Sequence, residues 1–232
     1  MKFPLKQHVS IPKNTKGQDW FTGDVHGEWR ELFDLMLLRD FDFSADRLFM
    51  VGDLIDRGSD SPGTLVFLNR SDFAYAVAGN HELMFYESLY DQEEREMHLK
   101  NGGEWTLSED EAYLDRLRGI IAEQMPLSMT IDSDYGLVGL VHATAPDNWA
   151  SLSDKELSYQ DCCRCVWSRS DCRESKEGRP GVVKGVDLVV HGHTQTERVV
   201  AGRNQIWIDT AYSEIGRKLI TLSEAVSYLQ TG

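Results

Sequence analysis

Apolar and polar positions along this 232-residue chain follow two alternating periods. Short apolar runs that stop at a glycine are separated by longer stretches with helical spacing. Trp20-Phe21-Thr22 is the first such run and stops at Gly23-Asp24. From Glu28 to Arg39 the apolar residues fall at 29, 32, 33, 36 and 37, one face of a helix. Arg47–Val51 predicts a strand closed by Gly52-Asp53. Ser61-Pro62 predicts an N-cap followed by a first-turn proline, opening a helix to about Asn69. Phe73–Ala78 predicts a third strand ending at Gly79-Asn80. Ser108 with Glu111 and Ser153 with Glu156 read as capping boxes for helices to about Ala122 and Cys165.

Beyond residue 126 the period shortens to that of strands. Leu127–Asp132 and Leu137–His142 flank Ser-Asp-Tyr-Gly and predict a hairpin. Val186–Val190, Gln205–Asp209 and Lys218–Leu222 complete the strand set, and Ser223–Leu229 predicts a closing helix. Arg173–Gly185, rich in glycine and charge, reads as a mobile loop. There is no internal repeat and no low-complexity segment. The pattern is that of an α/β chain forming a single domain over 1–232.

Composition narrows the function. Hydrophobic residues make up 41% and charged residues 27%, enough to bury a core without staples. Lys plus Arg is 24 and Asp plus Glu is 38, a net charge of −14. Such a chain is repelled by phosphate backbones and anionic membranes, so neither nucleic acid nor membrane is an expected partner. No apolar run reaches the ~18 residues of a spanning helix, and the start, MKFPLKQHVSIPKN, lacks the apolar stretch of a secretory signal. A cytoplasmic monomer is expected. The four cysteines, Cys162, Cys163, Cys165 and Cys172, sit within eleven residues. They lack the paired spacing of zinc ribbons and read as reduced thiols, with structural zinc or redox regulation as the weaker alternatives.

The predicted strand ends share one property: each carries metal-type ligands. Gly23-Asp24-Val25-His26-Gly27 offers a carboxylate and an imidazole, Gly52-Asp53 a carboxylate, and Gly79-Asn80-His81-Glu82 an amide and an imidazole. Later strands end at Val141-His142-Ala143 and His191-Gly192-His193-Thr194. Functional groups gather beyond the carboxyl ends of strands in α/β sheets. Carboxylate, amide and imidazole donors without thiolate suit Mn, Fe or Zn. Six ligands exceed what one open catalytic metal uses. They suit two ions sharing a carboxylate, which about 3.5–4 Å apart clamp both oxygens of a phosphoryl displacement.

The blocks GDVHG, GDLIDRG, GNHE, VHA and GHT, in this order, resemble the calcineurin-like metallophosphoesterases. Asp56-Arg57-Gly58, Trp167-Ser168-Arg169, Asn101-Gly102-Gly103-Glu104-Trp105 and Ile208-Asp209-Thr210 resemble the phosphoprotein phosphatase branch, in particular its small bacterial and phage lambda-type serine/threonine phosphatases. Gln195, where wider-superfamily esterases carry a second histidine, agrees with this branch, whereas Ala143-Thr144-Ala145-Pro146 departs from it. The resemblance implies a sandwich of two mixed β-sheets flanked by helices. It implies two divalent ions, with Mn²⁺ first and Fe or Zn as alternatives. Asp24 and His26 would hold the first ion, Asp53 would bridge, and Asn80, His142 and His193 would hold the second. His81 would be the general acid, oriented by Asp56. Arg57 and Arg169, with Asn80, would bind the phosphate. Water activated at the metals would attack phosphorus directly, without a phosphoenzyme.

The implied substrates are phosphoserine and phosphothreonine in proteins or peptides, with phosphotyrosine also open. A dinucleoside tetraphosphate hydrolase or another small-molecule phosphoesterase remains the alternative, and it would need a base-stacking pocket from a residue such as Trp149 or Tyr212. Nuclease action is disfavoured by the charge. A non-catalytic phospho-binding module would be expected to lack a ligand or the acid, and here all are present. His191, two residues before His193 on a predicted strand, would face the same side. It stands either behind the ligands or as a rival for the ligand role.

Overall fold

The computed structural model describes residues 3–231. Residues 1, 2 and 232 of the expected domain lie outside the described residues. Two mixed sheets pack face to face with helices outside them. The smaller sheet contains β2 (Asp19–Thr22), β3 (Arg47–Met50), β4 (Ala74–Ala76) and β10 (Leu219–Thr221) in the order β10-β2-β3-β4. The larger contains β1 (His8–Ile11), β5 (Ser128–Ser133), β6 (Gly136–Val141), β7 (Leu188–His191), β8 (Val200–Gly202) and β9 (Gln205–Trp207) in the order β1-β5-β6-β7-β9-β8.

Strand alternation divides the core into two layers. Phe21 and Phe49 point between the sheets, stack at 5.6 Å, and meet Val138, Leu140, Val190 and Ile206. Their neighbours Trp20, Leu48 and Met50 point outward and bury helices α1 (Trp29–Leu38), α2 (Ser61–Arg70) and α5 (Glu111–Gln124) through Leu32, Leu65 and Ile121. Full burial of each such side chain contributes about 1.5–3 kcal/mol. β2, β3 and β4 are mutually parallel, so their carboxyl ends open on one edge. β6 and β7 are also parallel neighbours.

Several expected boundaries move, each for a local reason. Asp60, not Ser61, caps α2: its carboxylate accepts from Gly63 N at 2.8 Å. Asp110, not Ser108, caps α5 by accepting from Tyr113 N at 2.9 Å. The expected helix from Ser153 is two pieces, α6 (Ser151–Asp154) and α7 (Tyr159–Trp167), and Ser158 caps the second. In each case the residue just before the helix offers its side chain to the first-turn amides, which decides the start. The expected loop from Arg173 begins inside α8 (Ser170–Lys176). Strands β1 and β8 and helices α3 (Asn80–Glu87) and α4 (Gln92–His98) carry no strong amphipathic pattern, and the expectation omitted them. A wide helical turn at Leu99–Gly103 and a 3₁₀ turn at Glu104–Ser108 follow α4. The chain closes with α9 (Leu222–Thr231). No helix of the described residues is long and apolar enough to cross a membrane.

Candidate active site

Five strand ends converge where the two sheets open. Asp24 and His26 follow β2, Asp53 follows β3, and Asn80 and His81 open α3 after β4. His142 and His193 follow β6 and β7. All seven side chains are buried, with Asp53 2% and His81 0% exposed. The backbone is strained to aim them. Among the described residues seven non-glycine residues have positive φ, and five of these are His26, Asp53, Asp56, Arg57 and His193. Such conformations cost of order 1–3 kcal/mol and persist where surrounding structure holds them.

Two glycines are required by close approach. A Cβ on Gly79 would collide with the Asp53 carboxylate, and one on Gly52 (φ +98°) would lie 2.8 Å from His142 Nδ1. Glu82 ties the two loops together. Its buried carboxylate accepts from Asp53 N (2.9 Å), Leu54 N (2.7 Å) and Gly79 N (2.8 Å). Burial and the Asp53 charge push its carboxyl up to about 7, against the pull of those amides. Arg217, also buried, donates to the carbonyls of Asp24 and Val25 and holds the first loop.

The histidines are oriented by carbonyls. A carbonyl only accepts, so the ring nitrogen facing it carries the proton. His26 Nδ1–H donates to Ile55 O (2.9 Å) and His142 Nδ1–H to Val51 O (2.7 Å), which turns both Nε2 atoms into the site, where His26 Nε2 meets Arg57 and His142 Nε2 meets Asp53. His193 Nε2–H donates to Trp167 O (3.0 Å), freeing Nδ1. This is the arrangement in which outer partners set the tautomer of a ligating histidine. Two triads result, His26–Asp53–His81 and Asp53–His142–His193, with candidate ligand atoms within 4.8 Å of one another. Asp53 belongs to both.

Charge within the site is mutually dependent. Burial lowers His26 to about 4, and burial with the His142 charge lowers His193 to about 3. Burial opposes charging of His142, but Asp53, 3.3 Å away, outweighs it and raises His142 to about 10. The same pairing, with His81 and His26, overcomes burial and holds Asp53 well below the usual carboxylate range. Burial pushes Asp24 up, reinforced by Asp209. Asp209 rises for the same reason, helped by Asp53. Both Asp209 oxygens lack a hydrogen-bond partner. Adjacent buried carboxylates require a cation or a shared proton, so the donor set fits divalent ions.

His81 is placed differently from the other imidazoles. Its Nδ1 lies 2.6 Å from Asp56 Oδ2, and its buried Nε2 has no partner. Burial opposes its protonation, but Asp53 and Asp56 raise it. The other Asp56 oxygen accepts from His98 Nε2 (3.0 Å) and Trp105 Nε1 (2.7 Å). Burial opposes the charged form of Asp56, but the hydrogen bonds from His81 and His98 outweigh it and lower Asp56. His98 and Trp105 lie on the segment through Asn101-Gly102-Gly103, whose Gly102 carbonyl accepts from Arg57 N at 3.2 Å.

Asp53, Arg57, Asn80, His81, Arg169, His193 and Tyr212 line one cleft of about 790 Å³. Both arginines are exposed. Arg57 Nη1 donates to His26 Nε2 at 2.8 Å, whereas Arg169 has no ion-pair partner among the described residues.

All ten expected site residues lie in this region, but Asp24 is outside both triads: its carboxylate is 4.0 Å from His26 Nε2 and accepts from His193 N at 2.9 Å. The expectation for His191 needs correction. It is the last residue of β7, and His193 lies beyond the strand at φ +60°, so strand alternation does not place the two rings on one side. His191 stacks on Trp207 at 4.9 Å and pairs with Gln205 Oε1 at 3.0 Å, and it belongs to neither triad. Trp149 is buried, donating to Thr130 Oγ1, so it offers no base platform; Tyr212 is 58% exposed at the cleft. The four cysteines are free thiols, and burial raises Cys162 to about 11 and Cys165 to about 12. Sequence reasoning missed roles for Glu82, His98, Asp209 and Arg217. Only Glu82 and Asp209 had a local signal, the GNHE and Ile208-Asp209-Thr210 blocks.

The calcineurin-like phosphoesterase profile matches residues 20–197. Serine/threonine-protein phosphatase 2 of Escherichia coli (strain K12) is 31% identical over 218 residues, covering 92% of this chain and 96% of its own. Serine/threonine-protein phosphatase 1 of Salmonella typhimurium is 31% identical over 193 residues, covering 82% and 85%. A symmetrical bis(5'-nucleosyl)-tetraphosphatase of Coxiella burnetii is 42% identical over 78 residues, 34% of this chain and 25% of its own. A serine/threonine phosphatase from Saccharomyces cerevisiae shares the fold at a TM-score of 0.60, with 16% identity over 89% of this chain and 72% of its own. With two sheets opening on a phosphoesterase-type donor set and a profile match across most of its length, the chain belongs to the calcineurin-like phosphoesterase family.

Proposed function

We propose that the chain is a metal-dependent protein phosphatase that hydrolyses phosphoserine and phosphothreonine, with phosphotyrosine left open. The observation that carries this reading is the pair of buried triads joined at Asp53 and opening on the same cleft as His81, Arg57 and Arg169. The protein-phosphatase relatives match along most of the chain, while the tetraphosphatase matches about a third of it.

Asp24 and His26 would hold one divalent ion, Asn80, His142 and His193 the other, and Asp53 both. When bound, the pair would supply Lewis acidity and lower the pKa of a water. The donors are mixed oxygen and nitrogen without thiolate and suit Mn²⁺, Fe or Zn, with Mn²⁺ placed first by the family resemblance. Arg57 must release His26 Nε2 for that nitrogen to become a ligand, which frees its guanidinium for phosphate. Arg57, Arg169 and the Asn80 amide then bind the phosphate oxygens, where planar forks match the charge. His81, held at Nδ1 by Asp56, presents Nε2 to protonate the departing serine or threonine oxygen. None of the assigned roles needs a residue from a second copy of the chain. The free thiols support a reducing, cytoplasmic setting. The −14 charge disfavours nucleic acid and anionic membranes as partners.

A second reading rests on Tyr212, exposed at the cleft 6.1 Å from the His26 ring and available to stack on a base. One experiment separates the two. Chelator-stripped protein is assayed with and without Mn²⁺, Fe²⁺ or Zn²⁺ on a phosphoserine peptide and on diadenosine tetraphosphate. Metal-dependent release of phosphate from the peptide, with little from the nucleotide, is expected. The reverse result moves the activity to nucleotides. Silence on both removes this reading.

The Asp56 network carries a further prediction. Trp105→Phe keeps the ring but loses the donor to Asp56, and His98→Leu loses the other. A hydrogen bond to a charged group contributes about 1.5–3 kcal/mol, so each variant is expected to lose roughly 10–100-fold on phosphoserine peptides. p-Nitrophenyl phosphate, whose leaving group needs little protonation, should lose much less. His98→Gln, which can return an N–H to Asp56, should recover part of the loss. Equal losses on both substrates would make these residues structural only.

A further inference from the structure

A second groove, of about 960 Å³, continues from the cleft: Gln195 lines both. Its floor is apolar, formed by Val200 of edge strand β8 with Ile215 and Tyr228. Lys176, Arg198 and Lys218 also line it, against one carboxylate, Glu197. None of the three cations has an ion-pair partner among the described residues. They form a cationic cluster in a chain of net charge −14, and they keep their charge open where Arg30 pairs with Asp60, Arg39 with Glu224 and Arg118 with Glu111.

We propose that this groove binds the polypeptide flanking the phosphorylated residue and selects substrates with aspartate or glutamate there. The proposal rests on the protein-phosphatase reading of the adjoining cleft and names the substrate class within it. Helix α8 sets the spacing. Arg169, in the cleft, immediately precedes it, and Lys176, in the groove, ends it. Seven helical residues rise about 10 Å, which an extended peptide covers in about three residues. Acidic side chains about three positions from the phosphoserine therefore reach the cations while the peptide backbone lies over the apolar floor. The rest of this acidic surface repels such a peptide, so the groove also decides its orientation.

Phosphoserine peptides of equal length with acidic, neutral or basic residues two to four positions away, on either side, provide the test. Exposed ion pairs are individually weak, so the three together are expected to give about a ten-fold higher kcat/KM for acidic over basic flanks at low salt. The preference should shrink as salt screens it. The combined variant Lys176→Glu, Arg198→Glu, Lys218→Glu should reverse the order of the peptides. Comparable kcat/KM for all flanks in the unaltered protein overturns the proposal and leaves the phosphatase reading intact. So does an acidic preference that survives the reversal. Turnover of p-nitrophenyl phosphate or diadenosine tetraphosphate with none of any peptide overturns both.

Discussion

His81→Asn is expected to lower turnover of a phosphoserine peptide by roughly 10²–10⁴-fold, the usual worth of a positioned general acid. A serine alkoxide is a poor leaving group and needs its proton as the P–O bond breaks. The His81 environment is built for this donation. Nδ1 is bound at 2.6 Å to a carboxylate that His98 and Trp105 hold in place, and Nε2 is buried, unpartnered and directed into the cleft. Asp53 and Asp56 favour the protonated ring even though burial opposes it. Asparagine keeps a polar group near Asp56 but offers no acid at the Nε2 position. p-Nitrophenolate leaves without help, so the loss on p-nitrophenyl phosphate should be far smaller. Parallel kcat/KM measurements on the two substrates decide the matter. An equal loss would remove His81 from the acid role and assign it to holding the site together.

Asp53→Asn is expected to cost metal before it costs anything else. Both triads contain Asp53, so one substitution weakens both positions. Asparagine is nearly the same size and keeps an oxygen to accept from His81 N, now 3.0 Å from Asp53 Oδ1. The fold should therefore persist. The negative charge and the second bridging oxygen are lost. Losing an outer partner of a metal ligand costs about 10–100-fold in affinity, and losing a shared ligand should exceed that. The measurement is metal content after dialysis and affinity by titration, alongside activity. A variant that retains full metal at unaltered affinity would refute the bridging role, whatever its rate.

The contrast between His142 and His191 marks where sequence reasoning stopped. Both are fully buried histidines at strand ends. The sequence placed both near the metals. Only the packed structure separates them, because His142 meets Asp53 across the gap between sheets while His191 meets Gln205 on the adjacent β9. That difference depends on which strands pair, which a single strand's pattern does not contain. His98 is a sharper case. It lies 42 residues from Asp56, on a helix with no strong pattern, and nothing local marks it.

By itself the sequence determined the alternation of strands and helices, the glycine-terminated strand ends and the residue types they carry. Those are local properties: period, turn chemistry and side-chain donor type act over a few residues. From them came the six candidate metal donors and the expectation of two metals, while Asp56, Arg57, Arg169 and the acid role of His81 came from the family resemblance. The tertiary structure alone decided which donors stand within reach of one another and which histidine nitrogen faces the gap. It likewise decided which arginine is bound and which is free, and where the cationic groove opens. These are properties of pairs far apart in the chain, such as Asp24 with Asp209 or Arg217 with the Asp24 carbonyl. They exist only once the two sheets pack and exclude water, because burial makes each charge depend on its neighbours.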